Sequence, residues 1–167
     1  MQNILDKIVL SKQLEINQLY QDYNIDELRA QVQPTGHSFY ANLARAREAQ
    51  QPFFIAEFKR KSPSEGWIDE HADLPKQLNG YVQAGAGAIS VLTDGPFFGG
   101  SYDDLRLAAA TLAAAGPNRP LLLQKDFILD EIQLYLARAA GADMILLIAA
   151  ILEADRLQAL REIAESL

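Results

Sequence analysis

The sequence contains no cysteine among its 167 residues. This absence excludes a disulfide framework, a thiolate nucleophile and a cysteine-based zinc site. Histidine occurs only at His37 and His71, which are too far apart in the chain to suggest a histidine-pair metal site, and both are interpreted as solvated. We therefore expect no metal centre.

Basic side chains are in the minority, since 15 lysines and arginines stand against 22 aspartates and glutamates, for a net charge of −7. This balance argues against a general binder of nucleic acid or of anionic membranes. No apolar run approaches the ~18–20 residues that span a bilayer. The first residues, MQNILDKIVLSK, lack the order of a signal peptide. We expect a cytoplasmic protein with no nucleic-acid and no membrane partner.

Glycine-rich phosphate motifs are missing as well. No Gly-Lys-Ser or Gly-Lys-Thr follows a glycine in the manner of a P-loop. The pair Gly85 and Gly87 lacks the third glycine of a dinucleotide fingerprint, and it precedes a predicted strand instead of following one. The sequence thus offers no nucleotide-binding signature.

The pattern of apolar residues changes near residue 50. Residues 1–50 have helical spacing, broken at residues 34–36 (Pro-Thr-Gly) and followed by a second helix from about Ser38 to Ala49. After residue 50, short apolar runs typical of buried parallel strands alternate with helical patterns. The predicted strands are Phe53–Phe58, Ala88–Leu92, Leu121–Leu123 and Met144–Ile148. The predicted helices are Ala72–Ala84, Tyr102–Ala115, Asp130–Ala140 and Glu153–Leu167.

This alternation predicts an α/β fold with a parallel sheet, in which residues 1–50 form a helical extension and residues 51–167 form the βα units. Four such units are compatible with an open doubly wound sheet and with half of an eight-stranded barrel. In both architectures, ligands bind at the carboxyl ends of the strands.

The first strand leads directly into a charged loop. Because side chains alternate along a strand, Glu57 and Lys59 share a face, and two charges at the end of a buried strand are costly unless they are paired. One interpretation is an ion pair that only stabilises the sheet edge. The other is a ligand site at the strand ends.

The third strand has the same design, because Lys125 shares a face with Leu121 and Leu123. A lysine in this place could donate a proton or hold an anion. The alternative is a lysine whose stem only covers the end of the sheet. After the second strand, Phe97 and Phe98 precede two glycines and could stack on an aromatic ligand or simply pack the loop.

Four segments together resemble the indole-3-glycerol phosphate synthase family. IAEFKRKSPS at residues 55–64 is similar to the family's first-strand signature, and FFGGS at residues 97–101 to the loop after its second strand. KDFI at residues 125–128 resembles the third strand, and GAD at 141–143 with LLI at 146–148 resembles the fourth. The resemblance covers essentially the whole chain in family order.

The resemblance implies a TIM (β/α)8 barrel, represented here by an N-terminal helical extension and about four βα units, which make a half-barrel. It implies a carbon–carbon lyase (carboxy-lyase) of tryptophan biosynthesis. The reaction closes the indole ring of 1-(2-carboxyphenylamino)-1-deoxyribulose 5-phosphate with loss of CO2 and water, and it uses no cofactor and no metal. The implied ligand is therefore a small phosphorylated aromatic aminosugar.

The resemblance also implies roles for single residues. Lys125 matches the general acid that protonates the substrate carbonyl. Lys59 matches the lysine that contacts the anionic substrate and serves the later dehydration, and Glu57 matches the acidic partner that orients both lysines. The other matches are substrate-binding positions, of which the first contacts the substrate and the rest hold its aromatic ring: Ser62, Phe98, Phe127 and Leu146.

The chain departs from the family pattern in length, because full members have eight strands and this sequence stops after its fourth predicted helix. The fifth-strand glutamate that serves the family as general base and the phosphate-binding loops of the last strands have no counterpart. We expect an N-terminal half, inactive alone. Since a half-barrel leaves two strand edges unpaired, we expect a homodimer or a complementing C-terminal half as partner.

Two other functions stay open. The chain could be a half-barrel association module without catalysis. It could also be another phosphosugar barrel enzyme, such as phosphoribosylanthranilate isomerase, although the segment EFKRKSPS at residues 57–64 argues against that enzyme.

Overall fold

The computed structural model describes residues 3–167. Within that range the chain forms eight α-helices, six β-strands and one 3-10 turn at Ala149–Ile151. The helices are Ile4–Asp22 (α1), Ile25–Gln31 (α2), Phe39–Glu48 (α3), Leu74–Gln83 (α4), Gly95–Phe98 (α5), Tyr102–Ala113 (α6), Glu131–Ala139 (α7) and Ala154–Ser166 (α8). The strands are Ile55–Phe58 (β1), Lys61–Ser62 (β2), Gly66–Trp67 (β3), Ala88–Leu92 (β4), Leu121–Lys125 (β5) and Met144–Ile145 (β6). None of these helices is both long and apolar enough to cross a membrane.

Four strands form one parallel sheet in the order β1-β4-β5-β6. Each strand of this sheet therefore lies beside the strand of the same sheet that follows it in the chain, and a helix lies in each crossover, as βαβ units require. The α/β prediction with a parallel sheet is confirmed. The sheet does not close on itself within the described residues, and β1 and β6 are its two outer strands.

The two faces of the sheet differ in what covers them. Phe58, Ile89, Val91 and Leu122 belong to a buried cluster with the apolar faces of α4 and α6. Residues of the other face pair across the strands at Glu57↔Ser90, Ser90↔Leu123 and Leu123↔Met144. The outer strands of this second face are partly open, and Ile55 of β1 is 48% exposed.

The N-terminal helices pack on the α/β part through a second core. Ile16 and Leu19 from α1 and Leu28 from α2 cluster with Ile132 and Leu136 of α7. The sequence predicts one helical stretch up to residue 34, but the structure breaks it between α1 and α2. The Asn24 side chain caps the new helix by accepting hydrogen bonds from the amides of residues 26 and 27, a typical asparagine role. Residues 1–2 of the predicted 1–50 segment lie outside the described residues.

Strand bounds and burial also depart from the predictions. β1 begins at Ile55 instead of Phe53, β5 extends to Lys125, and β6 covers only two residues. Every residue of β4 is buried, whereas β1 and β6 are mostly half-open. A continuous apolar run therefore does not guarantee burial on both faces, because an outer strand has a neighbour on one side only. The hairpin of β2 and β3, with Gly66 at φ +69°, was not predicted.

Asp143, just before β6, joins three parts of the fold. Its side chain accepts two hydrogen bonds from Arg119, at 2.7 and 3.0 Å, one from the Leu122 amide at 2.8 Å and one from the Thr35 hydroxyl at 2.8 Å. Burial alone would raise its pKa, but these hydrogen bonds and the charge of Arg119 hold the pKa of Asp143 below its ordinary value.

We expect Asp143→Asn to lower the free energy of unfolding by about 3 kcal/mol, because it leaves the half-buried Arg119 without its anion. Urea unfolding monitored by circular dichroism measures this. Asp103→Asn is the control, since that carboxylate pairs with Arg106 while 89% exposed, and it should stay within about 0.5 kcal/mol of wild type.

Acidification should weaken the stabilisation that Asp143 gives to the fold. A carboxyl with a lowered folded-state pKa stabilises the fold above its unfolded pKa, and this contribution disappears as pH falls through the folded value. The difference between wild type and Asp143→Asn should therefore shrink on acidification. A constant difference between neutral and acid pH would contradict the assignment.

Candidate functional site

Three strands bring polar side chains together at the carboxyl ends of the sheet. Glu57 near the end of β1 accepts a hydrogen bond from Lys125 at the end of β5, with Nζ to Oε2 at 2.9 Å. The Ser90 hydroxyl of β4, between the two strands, donates to the same oxygen at 3.3 Å. Lys59, one residue beyond β1, places its Nζ 3.4 Å from Oε1. These four residues are called the Glu57 cluster below.

The Glu57 cluster is ionic and accessible. About a third of each side chain is exposed: 34% for Glu57, 37% for Lys59 and 35% for Lys125. Burial would raise the pKa of Glu57, but the hydrogen bond and charge of Lys125, together with Lys59, hold that pKa below its ordinary value. The carboxylate is therefore ionised at neutral pH, and two ammonium groups remain reachable by an anionic ligand.

Ser62 lies at the end of β2 and is buried. Its hydroxyl accepts a hydrogen bond from the Glu65 amide at 3.2 Å and lies 3.3 Å from the Glu65 carboxylate and from the Ser64 hydroxyl. In this structure the Ser62 side chain thus stabilises the turn between β2 and β3. Its predicted substrate contact stays a prediction.

Two of the predicted aromatic positions come together. The rings of Phe98, at the end of α5, and Phe127, just after β5, have centroids 5.9 Å apart and planes tilted by 33°. Both side chains are half-buried. Leu146, also half-buried, directly follows β6. The aromatic pair can offer an apolar surface next to strands that end in charged groups.

The loop after β1 is anchored by groups that the sequence analysis did not single out. Arg60 makes two hydrogen bonds to Asp104 in the first turn of α6, at 2.8 and 2.9 Å, and its guanidinium lies 4.9 Å from the Phe58 ring centroid. Lys61 donates to the Pro96 carbonyl at 2.8 Å. These contacts connect the β1 loop to the segment that carries Phe98.

The sequence analysis also missed a buried charge. Lys12 of α1 is fully buried, and its Nζ lies 2.7 Å from Glu15, 2.8 Å from Asp126 and 3.2 Å from Asp94. A signal was present, because Lys12 lies midway between Ile8 and Ile16 on the buried stripe of the helix. A cation at an apolar-stripe position points to a buried anion. Lys12, Glu15, Asp94 and Asp126 are called the Lys12 cluster below.

A parallel sheet with crossover helices and ionisable groups at its strand ends defines the class of α/β proteins that bind ligands at that edge. The chain matches the family model described as indole-3-glycerol phosphate synthase over residues 5–167. It therefore belongs to the indole-3-glycerol phosphate synthase family, as its motifs predict. Members of this family are TIM barrels, and the four parallel strands here are consistent with part of such a barrel.

Several curated relatives carry the name of this family. The indole-3-glycerol phosphate synthase of Bacillus mycoides is 48% identical over 160 residues, which are 96% of this chain and 57% of that protein. That of Bacteroides thetaiotaomicron is 40% identical over 171 aligned positions, covering 100% of this chain and 61% of that protein. The chain thus spans 57–61% of the length of these relatives.

We expect the carboxyl of Glu57 to titrate below its ordinary pKa, and Lys125→Met to raise that pKa, because the largest stabilising contact of the carboxylate is removed. A carbon-detected NMR titration of the glutamate side chains measures both values. Stability that depends on ionised Glu57 is present above the unfolded pKa and is lost as pH falls through the folded one.

Lys76→Met is the matched control for this titration. Lys76 is an exposed lysine on α4, so its removal changes the net charge equally without touching the Glu57 cluster. An equal rise of the Glu57 pKa in both variants would show that Lys125 has no specific contact with Glu57 in solution.

Proposed function

We propose that this chain carries the first part of an indole-3-glycerol phosphate synthase active site, with Lys125 as the general acid. The observation that supports this most directly is the convergence of Lys59 and Lys125 on one carboxylate at the strand ends. Family membership supplies the substrate, 1-(2-carboxyphenylamino)-1-deoxyribulose 5-phosphate. Its carboxylate and phosphate suit a site with two accessible ammonium groups.

The proposed reaction begins when the ring carbon that bears the carboxylate attacks the carbonyl carbon of the sugar chain. The new carbon–carbon bond leaves negative charge on the carbonyl oxygen, and the Lys125 ammonium donates a proton to it. Loss of CO2 returns the electron pair of the broken bond to the ring. The new hydroxyl then takes a second proton, donated by Lys59, and departs as water. The neighbouring CH2 group beside the nitrogen loses a proton to solvent, and the electron pair of that C–H bond forms the double bond that completes the indole.

Glu57 orients the two lysines in this scheme. One of its oxygens faces Lys125 and Ser90 and the other faces Lys59, so each ammonium is held in a defined direction. Phe98 and Phe127 provide the apolar surface for the aromatic ring of the substrate, and Ser62 and Leu146 complete the proposed binding positions. No cofactor or metal has a role in the proposed steps.

We expect the substrate to bind to the 167-residue chain, and Lys125→Met to weaken that binding about tenfold, since a hydrogen bond to a charged group contributes ~1.5–3 kcal/mol. The fluorescence of the substrate's aminobenzoate group measures binding. Indole formation should be slow, because Glu57 is the one carboxylate within the four strands of the sheet and both its oxygens are occupied.

The control for this experiment is again Lys76→Met, which should bind like wild type. Failure of the wild-type chain to bind the substrate, or equal weakening in both variants, would contradict the proposed site. Turnover at the rate of the full-length relatives would show that the chain supplies its own general base, and the role given to Glu57 would have to change.

We also propose that the chain associates through the edges of its sheet, with a second copy or with further strands of a complementing C-terminal half. Within residues 3–167, β1 and β6 each have one neighbouring strand only, so each has an outer edge that no strand of the described chain covers. Phe54 and Ile55 near the β1 edge are 39% and 48% exposed, which adds apolar surface to that edge.

We expect sedimentation velocity at micromolar concentration to show a species larger than the monomer. Ile55→Lys should shift it toward the monomer, because a lysine on an edge strand opposes pairing. Leu107→Lys is the control, since Leu107 lies on the surface of α6 with 46% exposure, and it should not change the sedimentation coefficient. A wild-type monomer would contradict the association.

A further inference from the structure

Lys12 makes the only buried ionic contact between α1 and the strand-end loops in the described part of the chain. Its side chain and those of Asp94 and Asp126 are 0% exposed. Burial alone would lower the pKa of Lys12, but the charges of Asp126 and Glu15 hold that pKa above its ordinary value, so the amine stays cationic at neutral pH. Because burial of a lysine is costly, the contacts that Lys12 makes with its carboxylate partners must offset that cost.

Asp94 connects Lys12 to the aromatic segment. One carboxylate oxygen of Asp94 accepts a hydrogen bond from the Phe97 amide at 2.8 Å and caps α5, while the other faces the Lys12 ammonium at 3.2 Å. The Asp94 carbonyl also accepts from the Gly100 amide at 2.9 Å. The direction of this carboxylate therefore determines where α5 begins and, as a result, where Phe98 lies.

Asp126 connects Lys12 to the end of β5. It directly follows Lys125 in the chain, and its Oδ1 accepts from Lys12 at 2.8 Å and from the Phe127 amide at 2.7 Å. Its Oδ2 accepts from the Thr93 hydroxyl, which lies next to Asp94. One ammonium thus holds two loops together at the points where they leave neighbouring strands.

We propose that Lys12 is a positioning residue. By holding Asp94 and Asp126 from the side of α1, it sets the spacing of Phe98 and Phe127 and the direction of Lys125. Its consequence for ligand binding rests on the function proposed above. Its structural part does not, because the position of α5 can be read without a ligand.

The one tryptophan of the sequence supplies that reading. Trp67 of β3 packs against the C-terminal end of α5, where a Cβ added at Gly99 would lie 2.8 Å from its ring. Movement of α5 uncovers this side of the ring. Quenching of Trp67 fluorescence by acrylamide in native buffer therefore reports whether α5 is docked.

The experiment compares Lys12→Met with Lys7→Met, an exposed lysine on the same helix, and with the triple variant Lys12→Met, Asp94→Asn, Asp126→Asn. The triple variant removes the uncompensated buried charges but keeps amide oxygens that can accept from the two loop amides. It remains available for measurement if Lys12→Met alone unfolds.

We expect Lys12→Met and the triple variant to show increased Trp67 quenching and about tenfold weaker binding of the substrate, because small misplacements of contact groups are costly. Lys7→Met should match wild type. In urea, the triple variant should recover most of the stability lost in Lys12→Met.

Two results would overturn the proposal. The first is a folded Lys12→Met with wild-type quenching and binding. The second is a triple variant in which quenching, binding and stability all return to wild-type levels, since Lys12 would then serve the fold alone. If the wild-type chain does not bind the substrate, the proposed function fails, whereas the quenching comparison still decides whether Lys12 positions α5.

Discussion

The parallel register of the four sheet strands is the constraint on which the site depends. It pairs Glu57 with Ser90 and Ser90 with Leu123, so that Lys125, two residues further along β5, reaches the Glu57 carboxylate. Because side chains alternate along a strand, a slip by one residue in β5 would turn Lys125 toward the helices and bring Gln124 to this face. The apolar packing of the helix-facing side opposes such a slip. The slip would change which side chains of β5 are buried against the helices, and it would expose apolar core residues to water.

Two charged clusters lie at the same edge of the sheet, and their burial separates their roles. Within the Lys12 cluster, the side chains of Lys12, Asp94 and Asp126 are shielded from water, so their charges interact strongly with each other. The Glu57 cluster keeps about a third of each charged side chain exposed. An anionic molecule can reach its lysines without first removing a buried group. The closed cluster thus suits a structural role and the open cluster suits binding.

Local patterns were enough to predict the α/β fold, β4 with its bounds, and the strand-end positions of Glu57 and Lys125. They were not enough to predict the exposure of Ile55, because burial of an outer strand depends on neighbours far along the chain. The partners of Lys12 were missed for the same reason: Asp94 and Asp126 follow two different strands, and only the packing of α1 on α7 brings them to the lysine. Helical spacing marks Lys12 as buried, but spacing within one helix cannot name partners on other elements.

The contacts of Glu57 also decide what it can do chemically. A general base needs a free oxygen and a pKa near the working pH. Burial would move the pKa of Glu57 upward, yet Lys125 and Lys59 hold it below the ordinary value, and both oxygens face cationic or hydroxyl donors. A proton on Glu57 would weaken each of these contacts at once. In the reaction proposed above, the carboxylate therefore acts by staying ionised. It keeps the Lys125 ammonium directed to the open face of the sheet, where that ammonium would meet the negative charge that develops on a substrate oxygen.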